Sequence, residues 1–167
     1  MTLRFSSVAS PHLPGLFPEE ADKAALMKND VFISHTPNDI HAAEAIVAAL
    51  EASRLRCFIA PRDIPAGMEW AAAIIDAIFE TRLFLLLHSA SANQSHQMAR
   101  ELQLVHDRHI GIFPVRLDDS PANPNIEFFL KRQSVFHATP FADRLPELVE
   151  AVHIRLGDQA AGTTDKV

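Results

Sequence analysis

The run Ser95-His96-Gln97-Met98-Ala99-Arg100-Glu101-Leu102 sets one carboxylate beside an otherwise apolar helix stripe. At 100° per residue Met98, Leu102 and Val105 share a face and Leu104 lies well round from it, which leaves Glu101 in the gap with Gln97 one turn behind. An acid flanked in this way loses part of its hydration. Such a group is costly unless it is paired or used, and perturbed acids in clefts are candidates for chemistry. Taken alone, the same glutamate also reads as a solvated helical residue near Arg100 or Arg108. Two further pairs bear polar chemistry at the ends of apolar runs, Ser34-His35 and His88-Ser89. The serines suit turns and caps. The two histidines with Glu101 would make a three-ligand metal set, but no compact ligand motif such as H-E-x-x-H supports it, and no metal is expected.

The elements that must position these groups follow from spacing. Five short apolar segments recur, Asp30–Ser34, Arg56–Ile59, Leu83–His88, Ile110–Val115 and Ser134–His137, with starts separated by 26, 27, 27 and 24 residues. That interval holds a strand, a loop, a three-turn helix and a return loop, so the pattern is a repeated βα unit. Runs as apolar as Leu83-Phe84-Leu85-Leu86-Leu87 indicate strands covered on both faces, hence a parallel sheet. Between them, Ile40, Ala43, Val47 and Leu50 form one helical stripe after a cap at Asn38 or Asp39, and Trp70, Ile74, Ala77 and Ile78 form another. The Glu101 helix is capped by Ser91, Asn93 or Ser95; a short helix is expected near Ile126–Leu130, and a last one from about Asp143 to Leu156, where Pro146 is tolerable only in the first turn. The fold class is α/β, a flavodoxin-like five-stranded parallel sheet of order 2-1-3-4-5 with helices on both faces. In that order strands one and three are neighbours where strand order reverses, the place at which open parallel sheets bind ligands. Ser34-His35 and His88-Ser89 end those strands, and the Glu101 helix follows the third.

Length and composition bound the rest. A chain of 167 residues is one domain's worth, expected as an extension over 1–28, a domain over 29–156 and a flexible tail over 157–167, with a loose helix conceivable at Glu19–Met27. The lone cysteine, Cys57, sits in Arg56-Cys57-Phe58-Ile59 and reads as core packing in a reducing compartment. Without a leader or a membrane-length apolar stretch, the expected location is cytoplasmic. A net charge of −6 with no Lys/Arg cluster argues against nucleic acid as a partner. Glycine-rich phosphate loops and the G-x-S-x-G elbow are missing, and a phosphoacceptor receiver would need acids where Ser34-His35 and His88-Ser89 stand.

These residues resemble the Toll/interleukin receptor (TIR) domain family in its bacterial form. The first box is Asp30-Val31-Phe32-Ile33-Ser34-His35 with the loop acid Asp39. The second is Cys57-Phe58-Ile59-Ala60-Pro61-Arg62-Asp63-Ile64-Pro65-Ala66-Gly67, followed by Trp70 and Ala73-Ile74. The third is Ser89 through Ser95, then Gln97, Arg100, Glu101 and Leu102, leading into Ile112-Phe113-Pro114-Val115. The likeness covers about residues 29 to 156, and the second box is its most specific part.

The resemblance implies cleavage of NAD+, as substrate rather than resident cofactor, at the bond between nicotinamide and ribose. Glu101 takes the catalytic position, and ligand contacts fall on Ser34, His35, Asp39, Arg62, Asp63, Ile64, Trp70, His88, Ser89 and Gln97. Many members carry Trp where this chain has Gln97, although a bacterial subgroup carries Gln, and many carry Tyr where it has His35. The implied partners are other TIR domains, met through the second-box loop, and a separate sensor or effector protein. The implied role is bacterial antiphage defence; the alternative is an adaptor or host-directed effector that binds other TIR domains without chemistry.

Overall fold

Four of the apolar segments become strands whose pleat buries both faces, and the last, at Phe136–His137, is a two-residue strand at the sheet's edge. The computed structural model describes residues 27–161. In order these are β1 (Asn29–Ser34), α1 (Ile40–Ala52), β2 (Cys57–Ile59), α2 (Trp70–Phe79), β3 (Thr81–His88), α3 (His96–Asp107), β4 (Gly111–Arg116), α4 (Pro124–Leu130), β5 (Phe136–His137) and α5 (Phe141–Ala161). Single 3-10 turns at Pro37–Asp39 and Ala92–Gln94 precede α1 and α3. All four strand pairings are parallel and the order is β2-β1-β3-β4-β5, as the spacing predicts.

Alternation along the strands divides the core into two layers. Val31, Ile33, Leu83, Leu85, Leu87 and Val115 pack on Ala43, Ile46, Val47 and Leu50 of α1 and Leu148, Val152 and Leu156 of α5. On the other face Phe58, Phe32 and Phe84 stack across three strands at 5.3 Å between neighbouring rings. Beneath them lie Ile74 and Ile78 of α2, Met98, Leu102 and Val105 of α3, and Ile126 of α4. Ser34 is two residues beyond Phe32, so the pleat aims it at this second face, toward α3. Register pairs Ser34 with Leu86, two residues short of His88.

Three expectations change. Trp70 does not join the α2 stripe: it is 47% exposed, because the first residue of that helix overhangs the packed turns that Ala73, Ile74, Ala77 and Ile78 bury. The last helix begins at Phe141, which moves Pro146 into its interior. The helical carbonyl that Pro146 cannot reach belongs to Ala142, an exposed residue, so the group left without a helical partner is not shut away from solvent. That helix also runs past Leu156 through Gly157 to Ala161, a single interior glycine costing only about 1 kcal/mol. The extension at 1–26, with nearly all of the helix considered at Glu19–Met27, and residues 162–167 lie outside the described residues. Cys57 is buried in the first layer, and burial, with the Glu51 charge, pushes its thiol up to about 12, so it packs as a hydrophobe.

At the amino ends of the strands one carboxylate clamps four segments. Asp30 accepts from the Arg56 backbone N–H at 2.9 Å and from its guanidinium at 3.1 and 3.0 Å, while Arg82 reaches the same carboxylate at 3.3 Å and the Leu156 carbonyl at 3.2 Å. Burial pushes the Asp30 carboxyl up, but the hydrogen bonds and charge of Arg56, with Arg82, outweigh it and hold it below the usual carboxylate range. The stabilisation is therefore present above the unfolded value near 3.9 and lost as pH falls through the lower folded value. Asp30→Ala should cost about 2 kcal/mol in urea unfolding at pH 7, Arg56 being half-exposed and partly rehydrated. The gap to wild type should narrow when unfolding is repeated at successively lower pH below 4.

Candidate functional site

Helix α3 starts where Ser95 caps it, its hydroxyl accepting from the Met98 N–H at 3.1 Å. Met98, Leu102 and Val105 are fully buried against the sheet, and Glu101 lies on the same face, only 5% exposed. The helix thus carries its carboxylate under the end of β1. There the Ser34 hydroxyl donates to Glu101 Oε2 at 2.6 Å, and the Gln97 amide donates to Oε1 at 2.9 Å. Burial raises the Glu101 carboxyl above its usual range; the Ser34 and Gln97 hydrogen bonds and the His35 charge oppose that rise without cancelling it. Ser34 is buried, whereas Gln97 is exposed, so the amide covers the carboxylate from the solvent side.

His35 points elsewhere than into open solvent. Its Nδ1 lies 2.8 Å from the Thr36 carbonyl oxygen and its Nε2 2.9 Å from that of Ala60, the first residue after β2. Next to it, Asp39 Oδ2 accepts from three hydroxyls: Thr36 at 2.6 Å, Ser89 at 2.7 Å and Ser91 at 3.1 Å. This knot ties the loop after β1 to the loop after β3. Asp39 precedes α1 but makes no side-chain cap, since its carboxylate is committed to the hydroxyls. Ser89 belongs to that knot rather than to Glu101.

The loop after β3 is tied on its other side as well. Asp118 accepts from the Ala90 N–H at 2.9 Å and the Ser120 N–H at 2.9 Å, and these bonds hold its carboxyl below the usual range although burial acts against them. Asn93 bridges to the Asn123 N–H at 2.8 Å and the Pro121 carbonyl at 2.9 Å. His88 is wholly buried with Nε2 3.2 Å from Asn93 Oδ1, so its ring serves this bridge and does not meet His35 at Glu101. Among the described residues no set of three or more His, Cys, Asp or Glu side chains is grouped to hold a metal ion.

The second-box residues build the loop itself. Arg62 pairs with Glu51 at 2.7 Å and Asp63 at 2.8 Å, and Asp63 accepts the Ile59 N–H at 2.9 Å. Ile64 leans on the second core layer, and Gly67 turns the chain into α2 at φ +79°, where a side chain would be strained. Ala60, Pro61 and Arg62 also line a groove of about 250 Å³ against Ile40, Val47 and Glu51. That groove lies on the α1 side of the sheet and contains neither Ser34, Gln97 nor Glu101.

Of the residues singled out from sequence, Ser34, Gln97 and Glu101 are therefore in direct contact, with His35 alongside. Asp39 and Ser89 brace the two loops, His88 is buried under Asn93, Arg62, Asp63 and Ile64 shape the second-box loop, and Trp70 stands exposed at its end. Thr36, Asn93, Ser91 and Asp118 carry the cross-ties and were not singled out as site residues. Ser91 and Asn93 resemble helix caps in sequence, a role Ser95 takes, and nothing local marks Thr36 as a partner of Ser91, 55 positions on, or Asp118 as a partner of Ala90, 28 positions back.

A family model described as TIR domain matches residues 31–149. Among solved structures, the TIR domain of the Toll-related receptor TRR-2 from Hydra magnipapillata gives a TM-score of 0.65 at 20% identity, covering 77% of this chain and 98% of that one. A metazoan TIR-STING receptor from C. gigas in complex with 2',3'-cGAMP gives 0.61 at 22% identity over 75% of this chain and 39% of that one. The TIR domains of the activated Roq1 resistosome, which directly recognises the pathogen effector XopQ, give 0.52 at 18% identity over 80% and 84%. No curated protein matches the chain in sequence. At these identities the structural likeness speaks for the fold, and the family model, which spans β1 to α5, speaks for descent: the chain belongs to the TIR domain family.

Proposed function

We propose that this protein cleaves NAD+ at the nicotinamide–ribose bond, with Glu101 as the catalytic residue, and that it serves antiphage defence in a bacterial cytoplasm. The observation that carries the reading is a carboxylate almost excluded from water, yet held by two donors that favour its ionised form. One carboxylate suffices for this bond. A sugar–oxygen leaving group needs a proton, which is why ordinary glycosidases pair two acids. The nicotinamide ring instead starts as a pyridinium cation: as its C–N bond to ribose breaks, the electron pair neutralises the ring and no general acid is needed.

What remains is to hold the ribose and steady the positive charge that grows on its ring. A fixed carboxylate in a water-poor place does the second far better than one in bulk water. Water adding to the cationic carbon and releasing a proton gives ADP-ribose, whereas the ligand's own adenine or ribose as acceptor gives a cyclic product. Ser34 and Gln97 keep Glu101 aimed, and Gln97, being exposed, is the side chain a ligand would meet on entering.

A second reading is a TIR adaptor that acts by contact alone, with a separate sensor or effector protein as its partner. It draws on Met68 and Trp70, 39% and 47% exposed where the second-box loop enters α2. Self-association through this edge is compatible with either reading. Heterotypic TIR binding with no nicotinamide release at high protein concentration would favour the adaptor.

Glu101→Gln should lower kcat/KM for nicotinamide release about 10²–10³-fold, with mass spectrometry of the products identifying the acceptor. Full turnover in that variant would remove Glu101 from the chemistry. The same substitution has a stability signature. Because the folded carboxyl is raised, its favourable contribution is complete below the unfolded value near 4.3 and is lost as pH rises through the folded value. Glu101→Gln should accordingly unfold at the same or higher urea concentration than wild type at pH 7, an advantage that shrinks toward pH 4. Ser34→Ala and Gln97→Ala each delete a donor that favours the ionised form, so the acid limb of the rate profile should move to higher pH in both. Ser34→Ala should move it further, its bond being shorter and buried.

A further inference from the structure

We propose that His35 is the positioning residue of this site: its ring is a strut that carries the position of the second-box loop to the Ser34–Glu101 pair. The inference rests on Glu101 being the reactive carboxylate and adds what controls it. The ring is half-buried and fixed between two backbone oxygens, Thr36 on one side and Ala60 on the other, at 2.8 and 2.9 Å. Carbonyl oxygens only accept. A neutral imidazole has one N–H and one lone pair, so it can satisfy one contact while setting lone pair against lone pair at the other; a ring with two N–H groups satisfies both.

The two ends of the strut differ. Thr36 belongs to the hydroxyl knot on Asp39, which is itself tied to the β3 loop, so that end is anchored. Ala60 opens the loop that runs to Gly67, so that end moves with the loop. Ser34 precedes His35 directly and donates to Glu101 Oε2 at 2.6 Å, so a single peptide unit links the residue that bears the ring to the one that holds the carboxylate.

The charged groups around the ring make Glu101 the one it acts on. Asp39, from the segment after β1, is taken up by three hydroxyls. Arg62 and Asp63, from the second-box loop, pair with each other and with Glu51. His88, at the end of β3, is turned to Asn93. Glu101, from α3, is left with two neutral donors and the His35 charge against its burial. With the loop in place, the Ala60 carbonyl fixes one side of the ring and the Thr36 carbonyl the other. When the loop withdraws, that contact is lost, the ring no longer holds its place beside Ser34, and burial is left to favour a neutral, inactive Glu101.

The test uses the full chain with 13C-labelled glutamate side chains, the Glu101 signal being assigned by its absence in Glu101→Gln. In His35→Ala the Glu101 titration should move to higher pH and hydrogen exchange over residues 60–67 should rise about tenfold or more. The kcat for nicotinamide release should fall about 10- to 100-fold, with KM changed less. In His35→Gln, which keeps one neutral donor, loop protection should largely return while the titration stays displaced. An unchanged Glu101 titration or unchanged loop exchange in His35→Ala overturns the strut. If His35→Ala does not fold, the wild type decides: coupling across the hydrogen bond from the ring nitrogen to the Ala60 carbonyl carbon is expected, and its absence overturns the proposal. Should wild-type protein release no nicotinamide while the titration and exchange respond as stated, the NAD+ reading fails and the strut stands. Should NAD+ cleavage require Glu101 while neither responds, the strut fails alone.

Discussion

A carboxylate taken out of water must find compensation, and the upper end of this sheet is organised by that demand on Glu101. Stripped of hydration, the carboxylate would take up a proton; two donated hydrogen bonds and the neighbouring His35 oppose that. None of the three partners is adjacent to it in the chain. Ser34 arrives because β1 and α3 pack on the same face of the sheet, Gln97 because it lies one helical turn earlier, and His35 because it follows Ser34 out of the strand. Remove the parallel pairing of β1 with β3 and the partners separate. The fold is thus a condition for the charge, and the charge is the candidate for function.

Below the strand ends the structure is apolar and regular; above them it is polar and cross-tied. The stacked rings of Phe58, Phe32 and Phe84 set a rigid floor under Ser34. Over it, the Asp39 hydroxyl knot joins the β1 and β3 loops, and Asp118 with Asn93 joins the β3 and β4 loops. Loops normally carry the mobility of a domain, and a site built on them loses precision. Here the three loops around the switch point brace one another, which holds the Ser34–Glu101 distance without burying the mouth. Asp30 performs the matching duty at the opposite end, so side chains clamp the sheet at both ends of its strands while strand pairing and apolar packing hold it between them.

How much of this was legible in sequence depends on range. Strand segments, their parallel order and the pairing of Glu101 with Gln97 are carried by local pattern: apolar runs at near-constant intervals, and a polar position one turn from another on a helix. The placement of Glu101 near the end of β1 follows from topology once the order is granted. The hydroxyl knot does not, because Thr36, Ser89 and Ser91 are small polar residues of the kind found in any turn, and only tertiary structure brings them onto one carboxylate oxygen. Trp70 misled for a physical reason. Its spacing fits the α2 stripe, but periodicity is blind to where the sheet stops, and a first-turn residue can share a buried face in phase while standing beyond it in space. The early start of α5 is hidden for another reason: an interior proline costs a helix one hydrogen bond and crowds the carbonyl four residues before, and sequence does not show that this carbonyl, at Ala142, lies in an exposed turn.

Residues that break the local pattern are the ones that gather. An apolar side chain at position 34 would extend the Phe32 row of β1, and one at position 101 would complete the Met98–Leu102–Val105 stripe of α3; both places carry polar groups instead. Polar groups at both places leave two elements individually less stable and mutually dependent, because each is satisfied only by the other. Such paired violations are unexpected in a sequence shaped for stability alone. Since the acid at 101 still sits above its ordinary range after all its partners are counted, the pairing has not relieved the cost of burying it. That residual cost is in keeping with the role proposed for Glu101, and it distinguishes this carboxylate from Asp30, which is buried to a similar degree but pulled the other way by two arginines.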